Sequence, residues 1–292
     1  MDPLLAELKE MGVACGELRP IRSKDGVTVV QVTDSQGKRW VLKHFEEPGF
    51  RREIQRYRLL GELGVPTLRL MGATAASLLL EDLEESPALR LGVPEDLEDP
   101  AVARLLARWY TRLHQAGREY LHRCPDAALY NEAACLTPEA LALVQERTGS
   151  GGLPIWSRLK SALPAVLSAL KALSPTLVYN DFYYTNLAVA RDGSSALMYD
   201  YNLMGRGYAY GDVRNVCASL GPEAGRAFLE EYGPVDPWER RVDQVVSPLV
   251  TLIHACRRES FPAWARPSLE EMESSYPQVF TRFLKDLEER SC

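Results

Sequence analysis

The chain has 292 residues, 46% of them hydrophobic and 25% charged, with a net charge of −6 at neutral pH. These ordinary globular proportions exclude a disordered, collagen-like or coiled-coil chain, and the length suits one large domain or two lobes, because a single core rarely grows past about 250 residues. No stretch reaches the roughly 20 apolar residues of a membrane helix, and the first twelve residues carry Glu and Lys where a secretion signal would be apolar.

The charge is uneven, with 12 basic and 13 acidic side chains in residues 1–84 against 22 and 27 in the remainder. That acidic excess disfavours nucleic acid as a partner, since phosphate binding needs a basic face, and it favours a cationic ligand. A plain solubility charge would read the same. The cysteines, Cys15, Cys124, Cys135, Cys217, Cys256 and Cys292, are scattered without a C-x-x-C pair. Neither zinc nor a disulfide framework is expected, and a reducing cytoplasm fits.

In chain order, Asp2-Pro3 ahead of Leu4, Leu5 and Leu8 predicts a short helix capped by Asp2. Residues 17–45 then change to a period of two. Val27, Val29 and Val30 precede the turn Asp34-Ser-Gln-Gly37, and Trp40, Val41 and Leu42 come after it, giving a hairpin preceded by a strand over residues 18–21. Ile54, Tyr57 and Leu60 at helical spacing predict a helix over residues 50–63, stopped at Gly64. Strands over 68–71 and 78–80 complete a small antiparallel sheet with one helix.

Residues 86–100, rich in Pro, Asp and Glu, lead into a helix over 101–117 and place the boundary between a lobe of residues 1–84 and a mainly helical lobe of residues 85–292. Within the second, a helix over 156–173 comes after the flexible segment 148–152. The apolar runs 177–179, 187–190 and 196–199 form a β interlude, with Asp192-Gly193 turning between the last two. The fold class is α+β.

Phosphoryl transfer from ATP needs a carboxylate to orient and deprotonate the acceptor hydroxyl, oxygen ligands for Mg²⁺, and positive charge on the phosphates. Asp181 and Asn186 stand in D-x-x-x-x-N order in a loop between short strands, and folding at Asp192-Gly193 returns Asp200 towards Asn186. Asn186 and Asp200 then offer hard oxygen ligands for Mg²⁺, and Asp181 serves as the base. Asp126 and Asn131 repeat the spacing without flanking strands or a returning aspartate. The signal is therefore the whole arrangement, since such residues otherwise read as turn caps.

On these residues the chain resembles the aminoglycoside phosphotransferase and choline kinase group of kinase-fold enzymes, whose catalytic loop usually reads H-G-D-x-x-x-x-N. The resemblance implies a two-lobed protein-kinase-like fold, with Asp181 as catalytic base and Asn186 and Asp200 as Mg²⁺ ligands. Val41-Leu-Lys-His44 resembles the V-A-I-K strand, so Lys43 would meet the nucleotide phosphates and Glu53, on the next helix, would orient it. Leu78-Leu-Leu-Glu-Asp-Leu83 resembles the hinge, with backbone near Glu81 and Leu83 meeting adenine. Asp212 would cap a helix over 213–220 and brace the catalytic loop. No A-P-E segment comes after Asp200, which favours a small molecule over a protein as acceptor.

The departures are Tyr179-Asn180 in place of His-Gly, and a nucleotide-covering loop, Ser23-Lys-Asp-Gly-Val27, with one glycine and no G-x-G-x-x-G. Asn tolerates the positive φ that Gly would take, whereas Tyr cannot reproduce His chemistry. Phe182, Tyr183 and Tyr184 lie beside the base, where a ring can stack on a substrate, and His114 reads as a helix packing residue. The implied activity is ATP- (or GTP-) and Mg²⁺-dependent phosphorylation of a hydroxyl on a small cationic molecule such as an aminoglycoside-type antibiotic, without nucleic-acid or membrane partners. Choline, a ketoamine or a sugar are the alternative acceptors, and a catalytically weak nucleotide-binding pseudokinase is the alternative from another class.

Overall fold

The computed structural model describes residues 3–291. Helix α1 (Pro3–Glu10) opens the chain with a proline, and the expected Asp2 cap lies outside the described residues. Strands β1 (Cys15–Lys24), β2 (Val27–Asp34) and β3 (Arg39–Phe45) come next. Asp25 and Gly26 join the first two with φ of 54° and 73°, the left-handed pair that a tight hairpin requires. After helix α2 (Arg52–Glu62) come β4 (Leu70–Ala73) and β5 (Ser77–Glu81). The five strands form one antiparallel sheet in the order β1-β2-β3-β5-β4.

Period two divides the work of β3. Trp40 and Leu42 point one way and join Leu8, Val30, Val32 and Leu79 in a buried cluster. Lys43, one residue on, must therefore project from the opposite face. That alternation leaves the face of β3 opposite the buried cluster free to carry Lys43.

Next come β6 (Leu89–Leu91) and helix α3 (Pro100–Arg123), whose cap Asp99 accepts from the Ala101 N–H. The helix outruns the expected 101–117 because Gly117 is buried along it, and packing overrides the low helical propensity of glycine. The chain continues through α4 (Pro138–Thr148), α5 (Ile155–Lys171), β7 (Thr176–Val178), β8 (Leu187–Ala190), β9 (Ala196–Met198) and β10 (Gly205–Gly207). Helices α6 (Ala209–Ser219), α7 (Pro222–Tyr232), α8 (Pro237–Cys256), α9 (Arg266–Glu273) and α10 (Tyr276–Ser291) complete it. No helix among the described residues is long and apolar enough to cross a membrane.

The chain forms two compact units. One contains Met1–Pro125, Tyr179–Met204 and Asn215–Gly233. It holds the five-stranded sheet, a second antiparallel sheet in the order β6-β8-β9, and the α3–α7 pair. β6 arises inside the acidic segment 86–100, where Leu89, Arg90 and Leu91 pair with Ala190, Val189 and Ala188. Tyr110 and Phe228 meet edge-on between α3 and α7 at 6.1 Å. His114, fully buried, bonds the Tyr232 hydroxyl at 2.7 Å, so it packs a helix as expected.

The other unit contains Asp126–Val178, Gly205–Arg214 and Pro234–Cys292, and it is mainly helical around a core shared by α4, α5, α8, α9 and α10. The segment 148–152, expected to be flexible, forms a left-handed cap at Gly149 and a 3₁₀ turn. Its buried Ser150 carbonyl accepts from Trp156 Nε1 at 2.9 Å. β7 pairs with β10, a Gly-Arg-Gly strand that propensity argues against. At Gly205 a Cβ would lie 2.0 Å from the Tyr130 carbonyl oxygen, so only glycine permits the approach. Helix α6 begins at Ala209, four residues before the expected start, so Asp212 lies buried within its first turn and is not its cap.

Leu42 is fully buried in the centre of the first sheet, whereas Ile21 on the edge strand is 55% exposed. Leu42→Ala is expected to cost about 2–5 kcal/mol in urea unfolding, and Ile21→Ala no more than about 0.5 kcal/mol. Equal costs would remove the assignment of Leu42 to the core.

Candidate active site

Lys43 leaves β3 on the face opposite the α1 cluster and meets α2, where Glu53 lies in the first turn. An acidic side chain there is favoured by the helix dipole. The Lys43 ammonium donates to Glu53 Oε2 at 2.6 Å and to Asp200 Oδ1 at 2.8 Å. Glu53 is 1% exposed, so its charge requires a close partner. Burial pushes the Glu53 carboxyl up to about 7, against the pull of Lys43. Burial likewise works against the Lys43 ammonium, yet the Glu53 and Asp200 carboxylates together hold its pKa above the ordinary lysine value.

Asp200 reaches this pair through the β8–β9 hairpin. Leu187 pairs with Met198, and the ladder continues as the Tyr199 N–H donates to the Asn186 carbonyl at 2.9 Å. Asn186 and Asp200 thus stand at the open ends of adjoining arms, as the turn at Asp192-Gly193 requires. Asn186 Nδ2 donates to both the carbonyl and Oδ2 of Asp181 at 3.2 Å, which orients the Asp181 carboxylate and leaves Asn186 Oδ1 as an acceptor. Burial, and after it the charge of Asp200, raise the Asp181 pKa, while the Asn186 bond and Lys43 oppose them.

The loop backbone carries two strained points. Asn180 has φ 66° and Asp200 φ 63°, a region that side-chain-bearing residues seldom occupy. The Asn180 value answers the substitution for glycine noted in the sequence. Tyr179, in the position expected of histidine, is fully buried, and its hydroxyl donates to the Tyr199 carbonyl. Asp126 and Asn131, the second copy of the spacing, lie in the other unit, where Asn131 Oδ1 caps a 3₁₀ turn through the Ala133 N–H at 3.1 Å.

Glu81 and Leu83 lie at the end of β5 and just beyond it, with Glu81 paired across the sheet to Trp40. The Glu81 N–H donates to the Arg69 carbonyl at 3.2 Å, and its carboxylate takes the Arg69 N–H and the Ser86 hydroxyl. Asp82 is tied to Gln31 and Arg39. The structure adds contacts to the site that the sequence did not point to. Arg52 Nε donates to the Asn202 carbonyl at 3.0 Å, and Tyr57 meets Tyr201 edge-on at 4.7 Å. Arg52 carries no sequence signal beyond adjacency to Glu53, and Tyr57 none beyond the helical spacing it shares with Ile54 and Leu60.

The raised Glu53 pKa means that the folded chain binds this proton more tightly than the unfolded chain. The stability it contributes is full below about pH 4.5 and is lost as pH rises through about 7. The raised Lys43 pKa acts only above the ordinary lysine value of 10.5, outside that window. Relative to Glu53→Gln, the wild-type unfolding free energy is therefore expected to decline from pH 4.5 to 7. A difference independent of pH would contradict the burial argument.

Residues 17–241 match the family described as APH, phosphotransferase enzyme family. No curated protein sequence matches the chain. Among solved structures, the chain is similar to macrolide 2'-phosphotransferase MphH from Brachybacterium faecium, with 19% identity, TM-score 0.60, and coverage of 93% of this chain and 98% of that one. It is also similar to the ADP-bound aminoglycoside phosphotransferase APH(2'')-Ib, with 17% identity, TM-score 0.63, and coverage of 96% and 99%. A third similar structure is a choline/ethanolamine kinase family protein from Mesorhizobium loti, with 14% identity, TM-score 0.58, and coverage of 96% and 95%. These likenesses establish the two-lobed, protein-kinase-like α+β fold.

Proposed function

The chain belongs to the phosphotransferase enzyme family, a family of small-molecule kinases, and we propose that it transfers the γ-phosphoryl group of ATP (or GTP) to a hydroxyl of a small cationic molecule. One observation carries the reading. A single ammonium, Lys43, is shared by Glu53 and Asp200, while Asn186 from the adjoining hairpin arm orients Asp181.

In this reading residues 1–84 hold the nucleotide, and residues 85–292 supply the catalytic loop and the acceptor site. Lys43 contacts the α- and β-phosphates, and Glu53 keeps its ammonium directed at them. The adenine meets backbone near Leu83, with Glu81 bracing the hinge through Arg69 and Ser86. Asn186 Oδ1 and the Asp200 carboxylate, 35% exposed, are one amide and one acidic oxygen. That donor set suits Mg²⁺, which takes few protein ligands and fills its remaining positions with phosphate oxygens and water. When bound, the ion neutralises charge on the transferring phosphoryl group.

Asp181 acts on the acceptor. Asn186 occupies Oδ2, so Oδ1 receives the hydroxyl proton as the acceptor oxygen bonds to the γ-phosphorus. The bond from that phosphorus to the β–γ bridging oxygen breaks, and the nucleoside diphosphate leaves. Burial and the neighbouring Asp200 charge raise the Asp181 pKa and so strengthen it as a base.

The acidic excess beyond residue 84 and the Tyr183 ring, 62% exposed two positions after Asp181, both support an aminated acceptor. Aminoglycoside-type antibiotics, which would make the activity one of resistance, and metabolites such as choline or a ketoamine belong to that class. Free cysteines among the described residues and the need for ATP accord with work in the cytoplasm.

Asp181→Ala is expected to lower turnover by about 10²–10⁴-fold while Mg²⁺-dependent ATP binding survives. Asp200→Ala is expected to remove the Mg²⁺ dependence of nucleotide binding. ATP consumption against a panel of aminoglycosides, choline, ketoamines and neutral sugars measures turnover and the acceptor, and calorimetric titration with ATP, with and without Mg²⁺, measures nucleotide binding in both variants. Full turnover in Asp181→Ala would end the mechanism, and a preference for neutral sugars would end the cationic assignment.

A further inference from the structure

We propose that Tyr179 and Asn180 are positioning residues that hold the Asp200 segment by backbone carbonyls on both sides of Asp200. The inference rests on the reading of Asp200 as a residue that holds Mg²⁺. It assigns a purpose to the two side chains that replace the expected His-Gly.

The Tyr179 ring is fully buried and packs edge-on against Trp109 at 5.9 Å, Tyr201 at 6.1 Å and Tyr110 at 6.4 Å. Phenylalanine would fill that space without a polar group to desolvate. The hydroxyl is directed instead at the carbonyl of Tyr199, the residue immediately before Asp200. Asn180 takes φ 66°, which glycine would adopt with less strain, but asparagine adds an amide. That amide donates to the Leu203 carbonyl at 3.0 Å, three residues after Asp200.

Asp200 needs such support. Its own φ of 63° is disfavoured for a residue with a side chain, and it persists only where the surroundings over-determine it. Two more side chains act on the same segment, with the Tyr201 hydroxyl on the Met198 carbonyl at 2.5 Å and Arg52 Nε on the Asn202 carbonyl at 3.0 Å. The carbonyls of residues 198, 199, 202 and 203 are thus all held by side chains. Tyr179 and Asn180 are the adjacent pair, and they tie this segment to the loop that carries Asp181. A single dipeptide sets the base and the metal-holding carboxylate against each other.

The test is calorimetric titration of the full chain with ATP, with and without Mg²⁺, alongside the thermal midpoint of each variant without ligand. Tyr179→Phe removes one oxygen and keeps the ring. Asn180→Gly removes the amide and keeps the positive φ. Each is expected to weaken ATP binding in Mg²⁺ about tenfold, the loss of one well-placed hydrogen bond, with Mg²⁺-free binding within about twofold of wild type.

Wild-type Mg²⁺-dependent affinity in both Tyr179→Phe and Asn180→Gly would overturn the proposal. So would a loss that is equal with and without Mg²⁺, since that marks a merely structural role. If Tyr179→Phe does not fold, Asn180→Gly alone decides between these outcomes. A wild-type chain that binds no ATP with Mg²⁺ would instead remove the phosphotransfer reading, and this proposal with it.

Discussion

Lys43 holds Glu53 at 2.6 Å and Asp200 at 2.8 Å, and the cost of burying such charges constrains much of the surrounding architecture. Taking an ion out of water costs several kcal/mol even after relaxation, and removing one partner of a buried pair costs about 3–5 kcal/mol. Glu53 is buried at 1% exposure, so α2 must present it to β3. Asp200 comes from 157 positions away, so the β8–β9 hairpin must return to the same ammonium. Apolar residues of similar volume would often stabilise such a site as well or better. The arrangement is therefore better explained by placing three charges than by stability.

The remainder of the site answers a second constraint, which is backbone strain. Asn180 and Asp200 both adopt positive φ, on either side of the Asp181–Asn186 loop. Both conformations are disfavoured by themselves, and bonds from the Tyr179, Asn180 and Tyr201 side chains to backbone carbonyls brace them. Tyr57, Tyr179 and Tyr201 enclose this region, and burial raises the pKa of each phenol well above 10.0, so that Tyr179 and Tyr201 act as neutral donors to backbone carbonyls. A polar loop held from an aromatic interior is preorganised. Positioning before the reaction is where phosphoryl transfer draws much of its catalysis.

The two D-x-x-x-x-N pairs show why spacing alone carries little chemistry. Asp181 and Asn186 are bonded to each other beside Asp200, whereas Asn131 caps a turn through its own local backbone. The two asparagines differ in the element each one leads into. After Asn186 a strand begins and returns, and after Asn131 a 3₁₀ turn begins.

Most of the architecture was legible in the residues themselves. Alternation around Trp40 and Leu42, the helical spacing of Ile54, Tyr57 and Leu60, and the turn chemistry of Asp34 to Gly37 and Asp192-Gly193 are local signals, and the chain obeys them. They also carried the expectation that Asp200 returns to Asn186, because a two-stranded hairpin has little other choice of geometry. Tertiary structure decided what local signals cannot encode. Gly205 to Gly207 became a strand by pairing with β7, with glycine required at 205 because Tyr130 approaches too closely for a Cβ there, and Gly117 stayed helical because it is buried. Asp212 lost its expected capping place when α6 began a turn earlier. The bonds from Tyr179, Asn180 and Arg52 to the Asp200 segment join side chains to carbonyls far along the chain. Residue type sets what a group can donate, and only the packed fold determines which acceptor lies within reach.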